Sequence, residues 1–251
     1  MKRLLPLLLL VLVSCGRPAP QQLTLLTYNV GVFSKYLDNS TPQVAALIRE
    51  SGASFVALNE LDSCNRRHDT YQLANLAKEL GWSYHYASAI PYAGGAYGNG
   101  VVTSHEIVNR DKIELPKVDG AEMRSVAVIE TPECVFAAVH LDHRSQVAAR
   151  EQMNIVNHWF TSRFTDAKKP VFLCGDFNVT PDSEVIAMAE TCWTLLSGTG
   201  NTHSTKNPKH CIDYIFALKA AAPVRVLESK VIREGTVELS DHYPVKVTVE
   251  F

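Results

Sequence analysis

The polar residues that follow one apolar run could hold a water molecule or a cation beside a phosphate group. Residues 171–174 are apolar, and Gly175, Asp176, Phe177 and Asn178 come directly after them. Asp176 and Asn178 are two positions apart, so on a continued strand their side chains would point to the same side. A carboxylate beside a neutral carboxamide suits this chemistry. The same residues also make an ordinary Asx turn, so this pattern alone leaves both interpretations open.

Similar groups stand at the ends of other apolar runs. Polar residues close or follow six strand-like segments in all: Asn29, Glu60, His140, Asp176 with Asn178, Asp213, and Asp241 with His242. Chance would scatter such residues through the loops. Glu60, Asn29 and Asp241 carry hard oxygen atoms of the kind that Mg²⁺ binds a few at a time, with water filling its remaining positions. These three residues are therefore candidate metal ligands.

The other members of this set could act on water and on phosphate. Asp176 is a carboxylate that could orient or deprotonate a water molecule. His140 and His242 are imidazoles that could donate to phosphate oxygens, and Asp213 could hold one of them in its charged form. The set therefore contains the groups that hydrolysis beside a phosphate requires.

Strands that alternate with helices have to position these residues. Strands are expected at residues 23–30, 54–58, 84–87, 100–103, 123–130, 134–140, 171–174, 212–217, 224–227 and 245–250. Helices are expected from Thr41 to Gly52, from a capping box at Asp69 and Gln72 to Leu80, around residues 148–159, and after Pro181. Strands outnumber helices, and helices often separate strand pairs. That order predicts an α/β fold with two sheets packed face to face and helices outside.

Seven short motifs contain the candidate residues in order along the chain. They are Thr27-Tyr28-Asn29, Leu58-Asn59-Glu60, Tyr97-Gly98-Asn99-Gly100, His140-Leu141-Asp142-His143, Gly175-Asp176-Phe177-Asn178, Ile212-Asp213-Tyr214 and Ser240-Asp241-His242-Tyr243-Pro244. As an ordered set they resemble the motifs of the endonuclease/exonuclease/phosphatase superfamily, over residues 23–251. The resemblance implies a four-layer α/β sandwich of two mainly antiparallel sheets, packed face to face and flanked by helices. It also implies Mg²⁺-dependent hydrolysis of a phosphate ester at one edge of the sandwich, with Mn²⁺ as an alternative cofactor.

The resemblance further implies a role for each matching residue. Glu60 would be the principal metal ligand, with Asn29 and Asp241 near the ion. Asp176 would position or deprotonate the attacking water, and Asn178 would help to hold that water and the phosphate.

The remaining matches would stabilise charge on the oxygens bound to phosphorus. His242 with its partner Asp213 would act from one side and His140 from the other, because phosphoryl transfer depends on positioning and charge neutralisation. Arg124 and Asn99 would contact the substrate phosphate.

Two departures from the family pattern affect these expectations. Residue 59 is asparagine where many members have glutamine, which should be tolerated because Glu60 is the expected ligand. Residues 30–33 lack the histidine that many bacterial members carry there, which affects the substrate contacts expected on this side but not the expected metal site. Residues 92–97, rich in glycine and tyrosine, fit either a substrate wall or a flexible loop.

The first residues predict an export signal. Lys2 and Arg3 precede an apolar run at residues 4–13, which is too short to span a bilayer as a permanent helix. The run ends in Leu12-Val13-Ser14-Cys15, which resembles the bacterial lipobox. Four parts are therefore expected: a signal peptide at residues 1–14, lipidation of Cys15, a tether at residues 15–22 and the domain at residues 23–251. The chain would then be exported and lipid-anchored in the cell envelope; a plain signal peptide with a chance cysteine is the alternative.

The net charge of the chain disfavours a protein that binds nucleic acid. The chain has 24 basic and 26 acidic residues, and removal of Lys2 and Arg3 with the signal leaves 22 against 26, a net charge of −4. Binding to a nucleic acid backbone relies on many basic contacts to phosphates. A local basic patch in the fold would still be compatible with this composition.

The cysteines suggest one disulfide as a hypothesis. Five follow Cys15, an odd number for an exported chain in which disulfides can form. Cys134 and Cys174 lie in apolar runs and are expected to be packed thiols. Cys192 and Cys211 bracket a polar segment, and a disulfide between them would stabilise it by about 3 kcal/mol.

Three functions are open at this point. One is a metal-dependent phosphodiesterase or phosphatase that acts on small or lipid-linked phosphate esters in the cell envelope. Another is a secreted or envelope-anchored nuclease with the same chemistry. The third is a non-catalytic binding lipoprotein, which the complete set of site residues disfavours. The expected partners are a phosphate-ester substrate and, through Cys15, a membrane; no obligate protein partner is inferred.

Overall fold

The computed structural model describes residues 20–119 and 122–251. The expected signal peptide, the lipidation site Cys15 and most of the tether lie outside these residues, so those expectations stay predictions. Within the described part of the chain, no helix combines the length and the apolar character needed to cross a membrane.

Twelve strands and four helices form in the described residues. The strands are β1 Gln22–Asn29, β2 Phe55–Ser63, β3 Ser83–Tyr92, β4 Gly95–Thr103, β5 Asn109–Leu115, β6 Arg124–Glu130, β7 Val135–His140, β8 Val171–Asp176, β9 Trp193–Leu195, β10 Asp213–Leu218, β11 Arg225–Val231 and β12 Val245–Glu250. The helices are α1 Thr41–Ser51, α2 Gln72–Leu80, α3 Gln146–Phe164 and α4 Glu184–Cys192. A short 3-10 turn, Gly31–Phe33, follows β1.

The strands form two six-stranded sheets. One has the order β11-β12-β1-β2-β4-β3, and the other has the order β5-β6-β7-β8-β10-β9. Each sheet has one parallel pair near its middle, β1 with β2 and β7 with β8, and these pairs are joined by crossovers that contain α1 and α3. The other neighbouring strands are antiparallel. The expectation of two mainly antiparallel sheets is therefore confirmed.

The alternation of side chains along β8 explains the four layers. Phe172 and Cys174 pack in a cluster between the two sheets, whereas Val171 and Leu173 pack in a cluster that includes α3 and α4. A third cluster lies between the other sheet and helices α1 and α2. Successive side chains of a strand point to opposite faces, so each central strand is covered on both sides. The predicted sandwich of two sheets flanked by helices is confirmed.

Local signals predict the end of α1 but not the start of α2. Gly52 ends α1 in the left-handed conformation, with φ of 69°. The predicted capping box of Asp69 and Gln72 is wrong, because Gln72 is the first helical residue. Its side chain instead accepts a hydrogen bond from the backbone N–H of Asp62 and donates one to the carbonyl of Val32.

The segment expected to be a loop around residues 90–99 is a hairpin. β3 and β4 pair along their whole length, and Ala93 and Gly94, both with positive φ, make the turn. Strand β5 was not predicted, because it is a polar edge strand in which only Ile113 and Leu115 are buried. Strand β9 is three residues long and carries too short a pattern to predict.

The proposed disulfide between Cys192 and Cys211 is wrong, since both are free thiols. The carbonyl of Cys192 accepts from the N–H of Lys219, just beyond the end of β10, whereas Cys211 lies two residues before its start. At about 3.3 Å per residue, β10 separates the two positions by roughly 20 Å, far more than a disulfide can bridge. Cys134 and Cys174 are buried thiols, as expected.

We predict that Gly175→Ala destabilises the fold strongly. Gly175 has φ of 150°, and a Cβ atom there would collide with the carbonyl oxygen of Val139 on the neighbouring strand. The free energy of unfolding, measured by urea titration, should fall by about 3 kcal/mol or more. Gly52→Ala is the matched control, because its positive φ is not accompanied by any close neighbour; it should cost about 1 to 2 kcal/mol. Equal losses of unfolding free energy in the two variants would contradict a collision between the new Cβ atom and the carbonyl oxygen of Val139.

Candidate active site

Three side chains of one sheet meet at the same edge because of strand register. His140 ends β7 and Asp176 ends the parallel strand β8, where the two residues lie opposite each other. β10 runs antiparallel to β8, so Asp213, its first residue, also pairs with Asp176. A slip of one residue would turn each of these side chains to the other face of the sheet. The register therefore brings together three residues that the sequence suggested.

Asn29 connects this sheet to the other one. Its amide nitrogen donates to Oε1 of Glu60 at 3.1 Å and to Oδ2 of Asp176 at 3.0 Å, so one side chain joins carboxylates from both sheets. Its amide oxygen accepts from the N–H of Gly31 at 3.1 Å. Asn29 was expected near the metal ion, and its contact with the metal stays a prediction. Its nitrogen faces the carboxylates, so Asn29 holds them in position.

Glu60 is turned into the site by an irregularity in β2. Its φ is 58°, and the pairing of β2 with β4 shifts register between Leu58 and Leu61. Asn59, beside it, is buried and crosses to the other sheet, donating to the carbonyl of Val139 at 2.8 Å and accepting from the N–H of Asp176 at 3.0 Å. Sequence reasoning treated Asn59 only as a tolerable departure, although it cross-links the sheets at the site. A polar residue within a buried strand was the available signal.

Asp176 is the buried centre of the site. Its Oδ2 atom lies 3.5 Å from Nε2 of His140 and 3.7 Å from Nε2 of His242. Its Oδ1 atom accepts from the N–H of Asn178 at 2.8 Å. Burial raises the pKa of Asp176 to about 7, although the nearby charge of His242 opposes that rise. A carboxyl with such a pKa can take up and release a proton near neutral pH.

His242 is held in its charged form by buried carboxylates. Its Nδ1 atom is 2.9 Å from Oδ2 of Asp213, and the same oxygen accepts from the hydroxyl of Thr202 at 2.6 Å. Burial alone would lower the pKa of His242, but the charges of Asp213 and Asp176 raise it to about 10. His242 therefore offers a charge-assisted donor at Nε2, beside the carboxylate of Asp176.

The donor set fits a hard divalent cation. Glu60 and Asp241 contribute carboxylate oxygens, which are the atoms that Mg²⁺ prefers. Among the described residues, the carboxylates of Asp176 and Asp213 lie close together beside the charged His242, and Oδ1 of Asp213 is buried and lacks a hydrogen-bond partner. Part of the negative charge of the site is therefore not in contact with any cation among the described residues, and a metal ion would balance that charge.

Lys35 already supplies one positive charge at this edge. Its ammonium group lies 2.6 Å from Oδ2 of Asp241. Burial opposes the charge on Lys35, but the contact with Asp241 and the charge of Glu60 raise its pKa. Asp241, an expected metal ligand, is thus paired with a lysine from the segment after β1. Lys35 was not among the residues predicted from the sequence, in which the family's histidine is missing from this segment.

Arg124, which was expected to contact the substrate phosphate, is buried and has partners within the protein. Its side chain is 3% exposed. Its Nη1 atom donates to Nδ1 of His140 at 3.3 Å, and its Nη2 atom donates to Nδ1 of His143 at 2.8 Å. Nη2 also forms an ion pair with Glu122 at 3.0 Å. Both terminal nitrogens are therefore used within the protein, and Arg124 acts on the histidines.

Two carboxamides that were expected at the phosphate also have internal partners. Asn99 is buried, donates to the carbonyl of Ser125 at 2.8 Å and accepts from Asn59 at 3.3 Å, while its phosphate contact stays a prediction. The side chain of Asn178 donates to the carbonyl of Leu141 at 3.0 Å. Asn178 therefore fixes the turn after β8 and, through its backbone N–H, the carboxylate of Asp176.

Two further ring contacts were not predicted from the sequence, because no local pattern indicates them. The ring of His203 packs on the ring of His242, with 4.7 Å between their centroids. On the other side, the guanidinium of Arg67 lies over the ring of Tyr92, 4.6 Å from its centroid. Burial and the charge of Glu60 raise the pKa of Tyr97, which indicates that this residue of β4 lies near Glu60. The tyrosine-rich segment is therefore an ordered hairpin, and its role as a substrate wall stays a prediction.

Comparisons with known proteins agree with this architecture. A model of the Endonuclease/Exonuclease/phosphatase family matches residues 26–242, which include every site residue from Asn29 to His242. An endonuclease/exonuclease/phosphatase structure from Beutenbergia cavernae DSM 12333 has a TM-score of 0.72 and 23% identity, over 92% of this chain and 72% of that chain.

Two other similar structures have phosphatase names. The mannosyl-6-phosphatase Bt3783 of Bacteroides thetaiotaomicron VPI-5482 has a TM-score of 0.72 and 19% identity, over 91% of this chain and 100% of that chain. The 2′,3′-cyclic phosphatase ANGEL2 has a TM-score of 0.71 and 13% identity, over 92% of this chain and 95% of that chain. At these identities the likeness establishes the fold alone. No curated protein sequence matches the chain.

We predict that His242 stays protonated well above neutral pH. Its pKa of about 10 exceeds the ordinary value of about 6.5. The stability that its charge contributes is therefore fully present below pH 6.5 and is lost as the pH rises through 10. In Asp213→Asn, loss of the largest counter-charge should lower the pKa of His242 from its wild-type value. Titration of ¹⁵N-labelled histidine by NMR measures both values; a wild-type pKa near 6.5 would contradict the assigned pairing.

Proposed function

Because the chain belongs to the Endonuclease/Exonuclease/phosphatase family, we propose that it hydrolyses phosphate esters with the help of a divalent metal ion. One observation carries this proposal. The buried carboxylate of Asp176 has an imidazole on each side, at 3.5 Å for His140 and 3.7 Å for His242, and Asn29 joins it to Glu60. A base for water, two donors for phosphate oxygens and a metal ligand are thus combined.

Asp176 accepts the proton of the attacking water in this proposal. Its pKa of about 7 suits a base that works near neutral pH. The water oxygen bonds to phosphorus while the bond from phosphorus to the leaving oxygen breaks. His242, kept charged by Asp213, and His140 donate to phosphoryl oxygens as negative charge develops there.

Glu60 is the residue that would hold the metal ion. Asp241 would also bind the ion if the ammonium group of Lys35 moved away from its carboxylate. A bound divalent ion would polarise a phosphoryl oxygen and neutralise its charge. The contact from Asn29 keeps the carboxylate of Glu60 oriented towards the site. Mg²⁺ is the ion we propose, with Mn²⁺ as a substitute of similar ligand preference.

A small phosphate ester is the substrate class that we favour. The similar structures include a mannosyl-6-phosphatase and a 2′,3′-cyclic phosphatase. The acidic net charge disfavours a long nucleic acid, which would need many basic contacts. A panel of sugar phosphates, cyclic phosphates, lipid headgroups and plasmid DNA separates the alternatives, and preferential cleavage of the DNA would favour the nuclease.

We further propose that Cys15 is lipidated and anchors the exported domain with its pocket turned away from the membrane. Gln21 pairs with Phe251 beside the start of β1, and Asn29 lies at the other end of that strand. The eight steps from Gln21 to Asn29 span about 26 Å. The six steps from Cys15 to Gln21 reach at most about 22 Å when fully extended. A tether of this length favours an orientation with the pocket away from the membrane, and with it soluble substrates over lipid headgroups.

We predict that Asp176→Ala and His242→Ala each lower kcat by about 10²- to 10⁴-fold, because each removes a proton-transfer or charge-stabilising group. Turnover of the best ester in the panel provides the measurement, and circular dichroism checks the fold. His158→Ala, at an exposed position of α3, is the control and should keep wild-type turnover. Wild-type turnover in Asp176→Ala would remove Asp176 from the mechanism.

The same assay tests the metal ion. EDTA should abolish turnover, and Mg²⁺ or Mn²⁺ should restore it. Glu60→Gln should need at least about tenfold more metal for half-maximal activity, because an anionic ligand is lost. Calorimetric titration of the protein with Mn²⁺ reports the same loss without substrate. Turnover that is indifferent to EDTA would contradict the metal assignment.

We also predict that the anchor limits the substrates. Cys15→Ser should move the protein from the membrane fraction to the soluble fraction. In vesicles, the lipidated protein should hydrolyse a soluble ester at the rate of Cys15→Ser, and headgroup phosphates of the same vesicle at least about tenfold more slowly. Insertion of about 20 Gly and Ser residues after Gly16 should remove that barrier. Rapid headgroup hydrolysis without the insertion would contradict the proposed orientation.

A further inference from the structure

One side of the site contains a buried arginine between two histidines. Arg124 starts β6, and His140 ends the antiparallel neighbour β7. Nη1 of Arg124 lies 3.3 Å from Nδ1 of His140, and both side chains are almost fully buried. His143, which is partly exposed, and Glu122 hold Nη2 of Arg124 from the outside. The guanidinium is therefore fixed from two directions.

The chemistry of arginine decides which nitrogen of His140 carries the proton. A guanidinium has only donors, so the Nδ1 atom that faces it has to be an acceptor. In a neutral imidazole the single N–H is then on Nε2. That nitrogen lies 3.5 Å from Oδ2 of Asp176, on the pocket side of the ring. Burial, together with the charges of Arg124, His242 and His143, holds the pKa of His140 well below its usual range, which agrees with a neutral ring.

The opposite tautomer would be disfavoured at both ends of the ring. An Nδ1–H group would point a donor at the donors of Arg124 inside the protein, and a buried donor without an acceptor costs about 1 to 3 kcal/mol. The lone pair of Nε2 would then face the ionised carboxylate of Asp176, and two acceptors repel each other. Both contacts are satisfied only when Nε2 carries the hydrogen.

We propose that Arg124 is a positioning residue that holds His140 as the neutral Nε2–H tautomer, so that this histidine presents a fixed hydrogen-bond donor to the pocket. The catalytic consequence rests on the proposed hydrolysis of phosphate esters, whereas the tautomer itself does not. His242 and His140 then differ in kind: His242 donates as a cation paired with Asp213, and His140 donates as a neutral ring oriented by Arg124.

NMR of the full-length chain labelled with ¹⁵N at histidine tests the tautomer directly. Long-range proton–nitrogen correlation distinguishes a nitrogen that carries hydrogen from one that does not. His140→Gln assigns the signals by removing them. We expect Nε2 of His140 to be protonated and Nδ1 to be unprotonated in the wild type at pH 7. A protonated Nδ1 in the wild type would overturn the proposal.

Variants of Arg124 test whether its guanidinium determines the tautomer of His140. Arg124→Met keeps the length of the side chain without donors and should produce a mixture of the two tautomers. Arg124→Lys retains one charged donor and should restore part of the Nε2–H population; it also serves if the Met variant does not fold. His143→Gln is the matched control, because it changes the outer contact of Arg124 and leaves the inner one, and it should keep the wild-type tautomer. An unchanged tautomer in both Arg124 variants would overturn the proposal.

Kinetics separate positioning from binding of phosphate. With the best ester of the panel, Arg124→Met should lower kcat by about 10- to 100-fold, with KM changed less than about threefold, because a donor that acts in the transition state is lost. A raised KM with unchanged kcat would instead mean that Arg124 binds the substrate, and would overturn the positioning role. If the wild type hydrolyses no ester, the proposed function fails, while the NMR result still decides the tautomer.

Discussion

The burial of one carboxylate, that of Asp176, is the constraint on which the site depends. Taking a carboxylate out of water is costly unless hydrogen bonds and opposite charge compensate for it. Here Asn29 of one sheet, the backbone N–H of Asn178, and His242 offset part of that cost, and burial still raises the pKa of Asp176 to about 7. These groups belong to segments far apart in the chain. The carboxylate is therefore stable only when the two sheets meet in one relative position, which Asn59 secures through its contacts across the seam.

Two residues of the same type acquire opposite protonation states from their surroundings. His242 faces the carboxylates of Asp213 and Asp176, which favour its cation in spite of burial. His140 faces the guanidinium of Arg124, which adds to the effect of burial and favours the neutral ring. Such divergence between identical groups is how one site provides different acid–base functions at one pH. The supporting partners of the two rings matter as much as the rings themselves.

Two cationic side chains, Lys35 and Arg67, already have carboxylate partners before any substrate binds. Lys35 contacts Asp241, and the guanidinium of Arg67 donates to both oxygens of Asp62 at 2.7 and 2.8 Å while lying over Tyr92. A substrate that uses these cations has to compete with an internal carboxylate. Selectivity among phosphate esters would then arise from the segments that carry Lys35 and Arg67, since the buried centre recognises only water and the phosphoryl group.

The sequence by itself determined where chemistry could occur and the order of the elements. Apolar runs that end in polar residues are local patterns, so they predicted β8 and the candidate Asp176, and the ordered short motifs added His242, without any tertiary information. The partners of individual atoms were decided only by the tertiary structure. Examples are the amide nitrogen of Asn29 facing the carboxylates, Arg124 facing His140, and the separation of Cys192 from Cys211 along β10. The physical reason is that a hydrogen bond depends on relative positions within a few tenths of an ångström, and those are set by packing between distant segments.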